Sequence, residues 1–61
     1  MGSPGAGAIW ELAAKAVIER FGEGAIDHCL RCMHDRMDHG DERAAAAWME
    51  IAYAVAALRN R

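Results

Sequence analysis

The sequence predicts an all-α protein, a compact three-helix unit with short turns marked by glycine. Apolar residues recur from Ala8 onward with a helical period of about 3.6. No segment alternates with a period of two, as a half-buried strand would. Glycines interrupt the helical pattern at 22–24 and again at Gly40. We therefore expect three helices, at about 8–21, 24–39 and 42–59.

The length of 61 residues allows one small domain, which we place at 8–61. A hydrophobic content of 54% and a single proline are typical of a folded chain rather than a disordered one. The preceding residues 1–7, rich in glycine with a serine and the proline, are expected to form a flexible N-terminal tail. A chain of this length buries only about 60% of its unfolded surface, so the isolated domain is expected to be marginally stable.

Local signals fix the ends of the helices. Gly22 and Gly40 follow the first two helices, where glycine adopts the left-handed conformation at little cost. Asp41 is a suitable N-cap for the third helix because its carboxylate can accept a backbone N–H.

Apolar positions at helical spacing predict the core. The first helix contributes Trp10, Ala13, Ala14, Val17 and Phe21. The second contributes Ile26, Leu30, Met33 and Met37, with Cys29 beside them. The third contributes Ala44, Trp48, Ile51, Ala52, Val55 and Leu58. Three aromatic side chains, Trp10, Phe21 and Trp48, are expected to anchor this core because they bury the most area.

The third helix is also apolar on its opposite side, which is unusual for so small a protein. Its alanine content has a simple explanation in helix propensity. An exposed apolar face nevertheless suggests a partner, either a second copy in a homodimer or a larger protein. The predicted interface residues are Ala46, Met49, Tyr53 and Ala57. Ile9 and Leu12, which lie off the core side of the first helix, offer a second docking surface.

The 3 histidines and 2 cysteines all lie within 28–39. Four potential metal ligands share one side of the predicted second helix, namely His28, Cys32, Asp35 and His39. Side chains four residues apart on a helix can chelate one ion. A structural zinc site needs four ligands in a tetrahedron, however, and one helical stripe usually offers two. The same residues also suit the solvent face of an amphipathic helix, so we expect no resident cofactor, only weak adventitious zinc binding.

Catalytic interpretations are weaker. Cys29 and Cys32 have the spacing of a redox pair but lie in mid-helix, without the helix N-terminus that lowers a thiol pKa. A pairing of His28 or His34 with Asp27 or Asp38 has no deep pocket to work in, because a chain this short cannot enclose one by itself. A pocket shared by two copies at a dimer interface is the one arrangement that would remove this objection. The prediction is that the protein is not an enzyme.

Charge and hydropathy restrict the partners. The net charge of −2 comes from 7 basic and 9 acidic residues, and no Lys/Arg run marks a nucleic-acid surface. A helix-turn-helix arrangement around Gly40 would present an alanine-rich recognition helix with few groups that read bases. No apolar run reaches the eighteen or so residues of a membrane span, and no secretion leader is recognisable. Free thiols and a cytoplasmic location are therefore expected.

The order of several markers resembles a known pattern. The markers are Ile9-Trp10, Arg20-Phe21-Gly22-Glu23 with Ala25, Gly40-Asp41, and Trp48 with Ile51-Ala52. Over about residues 9–58 the chain is similar to a group of short alphaproteobacterial all-helical proteins of unknown function. The resemblance implies a small intracellular all-α protein. Its shared positions are caps, turns and core aromatics, so it transfers no catalytic residue and assigns no role to the cysteines or histidines.

Two functional hypotheses follow. The first is a small non-enzymatic interaction module that self-associates or docks to a larger protein through the third helix. The alternative is a metal- or thiol-linked sensor that uses the stripe of His28, Cys32, Asp35 and His39. The direction in which those ligand-capable side chains point distinguishes the two hypotheses.

Overall fold

The structure is a computed structural model and describes residues 6–60. It contains α1 (Ala6–Phe21), a single 3₁₀ turn (Gly22–Gly24), α2 (Ala25–Asp38) and α3 (Glu42–Arg59). The predicted all-α class is confirmed. The first helix begins two residues earlier than predicted, and Gly24 and His39 flank the second helix instead of belonging to it. Most of the predicted tail lies outside the described residues.

Both glycine turns form where the sequence places them. Gly22 and Gly40 have positive φ angles of 56° and 75°. At the end of α2, the N–H of Gly40 donates to Met37 at 3.0 Å and that of Asp41 donates to Arg36 at 2.8 Å. These two bonds are the Schellman pattern, which satisfies the last carbonyls of a helix.

The start of α3 is capped as predicted. The Oδ1 atom of Asp41 accepts a hydrogen bond from the N–H of Ala44 at 3.1 Å. The side chain thereby satisfies one of the N–H groups that have no partner within the helix.

Helix α3 is the element against which the other two pack. It has extensive contacts with both α1 and α2, whereas α1 and α2 have few contacts with each other. The buried cluster comprises Ala14, Ala25, Cys29, Ile51 and Val55. Trp10, Val17, Ile18, Trp48 and Leu58 are half-buried around it. At the far end of α3, Nη1 of Arg59 donates to the carbonyl oxygen of Glu23 at 3.3 Å, which connects the helix to the 3₁₀ turn.

The predicted core face of α2 is only partly right: Cys29 is buried and Ile26 packs against the buried cluster, but the other large side chains of the row are not in the core. The buried residues of this helix are Ala25 and Cys29, not the row of larger side chains. Leu30 and Met37 are exposed, and Ile26 and Met33 are half-buried at the edge of the helix pair. The residues that α2 contributes to the buried cluster are small, and its bulkier side chains lie at the flank of the helix.

Phe21 also departs from its predicted place in the core. Its side chain is exposed at the junction of α1 and the 3₁₀ turn. The ring packs against the imidazole of His28 instead. Trp10 and Trp48 do pack against the buried cluster, as expected, although both remain half-buried.

Candidate functional site

One side of the α2–α3 pair is a continuous apolar surface. Two adjoining open clefts run along it, and Met33 and Met49 line both of them. The lining residues are apolar apart from Glu42 at one end and the hydroxyl group of Tyr53. We call this surface the α2–α3 face and define it by Ile26, Leu30, Met33 and Met37 of α2 and Ala46, Met49 and Tyr53 of α3.

The α2–α3 face joins two patterns that the sequence presents separately. Leu30 and Met37 of the apolar row of α2 are exposed, and Met49 and Tyr53 of the back face of α3 line the same clefts as that row. All four predicted interface residues are exposed. Ala46, Met49 and Tyr53 lie on the α2–α3 face, whereas Ala57 lines a separate cleft between α1 and α3 together with Trp10. Tyr53 lines this α1–α3 cleft and also one of the two clefts of the α2–α3 face, so its ring separates the two surfaces.

The second candidate docking surface is smaller. Ile9 and Leu12 of α1 are both exposed, as predicted. They line none of the clefts described above. They therefore form an isolated apolar spot and do not extend the α2–α3 face.

The predicted metal-ligand stripe divides into two pairs. His28 and Cys32 form one pair, with Nε2 and Sγ 3.6 Å apart. Asp35 and His39 form the other, in which His39 Nδ1 lies 2.7 Å from the carbonyl oxygen of Asp35 and 3.7 Å from its Oδ1. Within residues 6–60, no three His, Cys, Asp or Glu side chains are grouped closely enough to hold a metal ion.

His28 lies between two aromatic rings contributed by different helices. The Phe21 ring of α1 stacks on the imidazole with centroids 3.9 Å apart and planes inclined by 17°. Trp48 of α3 meets the imidazole edge to face, at a centroid distance of 5.6 Å and an angle of 86°. The ring is thus held in one orientation, with Nε2 directed at Cys32. Sequence periodicity alone places His28 on the solvent face and misses this contact.

The two cysteines differ in environment. Cys29 is fully buried, and this burial raises the pKa of its thiol. The neighbouring Cys32 raises that pKa further, by a smaller amount. Cys32 is half-buried and lines an open cleft with Trp48 and two arginines, Arg31 and Arg36. Both thiols are free. Only Cys32 is therefore accessible to a reagent in solution.

Arginines supply positive charge beside Cys32. Arg36 forms an ion pair with Asp35, and this hydrogen bond lowers the pKa of the Asp35 carboxyl group. The hydrogen bond to Asp35 and the charge of that carboxylate raise the pKa of the Arg36 guanidinium. Arg31 pairs with Asp27 at 3.1 Å.

The sequence prediction differs from these sites at three residues. It places Leu30 and Met37 in the core, and it gives Arg36 no role. The spacing does carry a signal for Arg36, because His28, Cys32 and Arg36 follow one another at intervals of four residues on one helix.

The comparisons with known proteins add no relative. No protein-family model, curated protein or solved structure matches the chain. The resemblance to the alphaproteobacterial group therefore stays a prediction. In the part of the chain that the structure describes, no helix has the length and apolar character needed to cross a membrane.

Proposed function

We propose that the protein is a small, non-enzymatic helical interaction module that self-associates as a homodimer through the α2–α3 face. The observation that supports this proposal is the exposure of large apolar side chains on one surface. Tyr53 is 66% exposed, Met37 56%, Met49 43% and Leu30 40%. Single exposed apolar residues need no explanation, but a contiguous patch on so small a body is typical of an interaction site.

The side chains on this face are of the kind that interfaces use. Methionine and tyrosine are enriched in the buried centres of protein interfaces, and charged residues are depleted there. Met33, Met37 and Met49 are unbranched and adapt to the shape of an opposing surface. The hydroxyl group of Tyr53 can remain at the wet edge while its ring is buried.

A second copy of the chain is the partner that we favour. If a two-fold axis passes through the centre of the face, the same patch of each copy covers that of the other, and no second complementary surface is needed. Of the described residues that line the clefts of this face, Glu42 alone is charged, and it lies at one end. An axis through the centre therefore keeps the two Glu42 carboxylates apart. Dimerisation would also supply buried apolar area that a 61-residue monomer lacks.

The test is the molar mass in solution across the micromolar range, measured by light scattering. We expect twice the 6.6 kDa of the chain. Tyr53→Glu and Ala46→Glu should return the protein to a monomer because each places a carboxylate in the centre of an apolar interface. Leu12→Glu is the matched control, since Leu12 is exposed but lies off the α2–α3 face.

A mass of 6.6 kDa at all these concentrations would contradict the homodimer. The same face docking to a larger protein would then become the better proposal. Dissociation by Leu12→Glu as complete as that by Tyr53→Glu would instead place the interface on α1.

A further inference from the structure

A cluster of side chains on a different side of α2 takes no part in the proposed homodimer interface. It consists of His28, Cys32 and Arg36 at successive turns of α2, with Phe21 of α1 and Trp48 of α3 against the imidazole. None of these residues lines the clefts of the α2–α3 face. We propose that Cys32 is a nucleophilic thiol that forms mixed disulfides with small, carboxylate-bearing disulfides.

The arrangement supplies a base for the thiol proton. Nε2 of His28 lies 3.6 Å from Sγ of Cys32, within range of a sulfur hydrogen bond. The rings of Phe21 and Trp48 hold the imidazole in place, so the contact does not depend on a freely rotating side chain. A thiolate, not a thiol, attacks disulfides, and an adjacent imidazole is a common means of generating one.

The arrangement also supplies a binding site for the anionic reagent. Cys32 lies in an open cleft whose other lining residues are Arg31, Asp35, Arg36 and Trp48. Guanidinium groups bind carboxylates by paired hydrogen bonds. Each arginine already forms one ion pair, Arg31 with Asp27 and Arg36 with Asp35. Both guanidiniums present further N–H groups, because each has five donors.

The reaction balances without an additional reagent. The proton of Cys32 moves to Nε2 of His28, and the thiolate sulfur attacks one sulfur of the small disulfide. A new S–S bond forms at Cys32 while the original S–S bond breaks. The departing thiolate takes the proton from His28 and leaves as a thiol. Cys32 is oxidised, and one half of the small disulfide is reduced.

The test measures the rate at which Cys32 reacts with DTNB, an aromatic disulfide carrying two carboxylates. A Cys29→Ala background leaves Cys32 as the only thiol, and a chelator excludes metal. His28→Phe keeps a ring between Phe21 and Trp48 but removes the base, so we expect a rate at least about tenfold lower. His34→Phe is the matched control, the same replacement at an exposed position of α2, and should leave the rate unchanged.

The role of the arginine is tested with a second pair of reagents. Arg36→Gln should slow the reaction with DTNB more than that with dithiodipyridine, which is uncharged. Arg43→Gln, at an exposed position of α3, is its control. The comparison of the two reagents does not depend on His28→Phe, so the proposal remains testable if circular dichroism shows that this variant is unfolded.

Equal rates for His28→Phe and the parent, with helicity intact, would overturn the proposed activation of Cys32. Equal slowing of both reagents by Arg36→Gln would overturn the anion site. Failure of either arm leaves the homodimer proposal unaffected, because the α2–α3 face shares no residue with this cluster.

Discussion

The imidazole of His28 stacks on the ring of Phe21, with their centroids 3.9 Å apart. This contact links the last residue of α1 to the first half of α2 across the 3₁₀ turn. It also gives Phe21 a specific partner although its side chain remains 40% exposed. Since α1 and α2 have few other contacts with each other, the pair is expected to help set the angle between them.

The contribution of that contact to stability is measurable. Replacing Phe21 by alanine removes the stacked ring, and we expect a loss of about 1 kcal/mol in the free energy of unfolding. Leu12→Ala is the control, because Leu12 is more exposed than Phe21. Chemical denaturation followed by circular dichroism would report both values. Equal effects of the two substitutions would show that the stacked pair adds nothing to stability.

The core assignment of α3 predicts a large difference between two isoleucines. Ile51 is 9% exposed, whereas Ile9 is 58% exposed. Ile51→Ala should cost about 2–5 kcal/mol, as buried aliphatic truncations do, and should leave the domain largely unfolded. Ile9→Ala should leave the melting curve almost unchanged. A folded Ile51→Ala variant with the parental melting temperature would show that α3 does not supply the core.

The helices and their ends could be predicted from the sequence because their signals are local. The left-handed conformation at Gly40 and the capping carboxylate of Asp41 depend on residues within a few positions of each other. The range 42–59 of the third helix is confirmed for the same reason. Its core residues Ile51 and Val55 are also buried as predicted, because they lie on the centre of its apolar stripe.

The direction of α2 could not be predicted in the same way. Periodicity favours the row with the largest apolar side chains, which here includes Leu30 and Met37. The helix buries Cys29 as predicted, but its other buried residue is the small Ala25, and Leu30 and Met37 remain exposed. Which side of α2 is buried depends on how the helix packs against its neighbours, and the apolar periodicity of α2 alone does not reveal it. One consequence is that the predicted metal-ligand stripe is turned partly inward at His28 and Cys32.

The turns predict opposite effects for two glycines. Gly40 has φ +75°, which disfavours a side chain, although a Cβ there would meet no other atom within 4 Å. Gly40→Ala should therefore destabilise the protein by about 1 kcal/mol. Gly24 has φ −84° and equally open space, so Gly24→Ala should be neutral or slightly stabilising. The melting temperatures of both variants check the prediction. A lowered melting temperature for Gly24→Ala, together with an unchanged one for Gly40→Ala, would contradict it.

Chelation tests the role of metal in the fold. His28 contacts Cys32 and Asp35 contacts His39, and among residues 6–60 no three such side chains are grouped closely enough to hold a metal ion. We therefore expect two-ligand sites at most and substoichiometric zinc in protein purified without a metal-affinity step. Adding EDTA should leave the far-ultraviolet circular dichroism spectrum unchanged. One zinc per chain by elemental analysis, together with melting on chelation, would establish a structural metal site and overturn the interaction-module account.

Self-association through the α2–α3 face is tested most directly by following the methionine methyl groups of that face by NMR. In protein with isotope-labelled methionine, the signals of Met33, Met37 and Met49 should shift together on dilution through the dissociation range. Tyr53→Glu should fix them at their dilute positions, and Leu12→Glu should preserve the dependence on concentration. Signals that stay constant on dilution, with a molar mass of one chain throughout, would contradict self-association through this face.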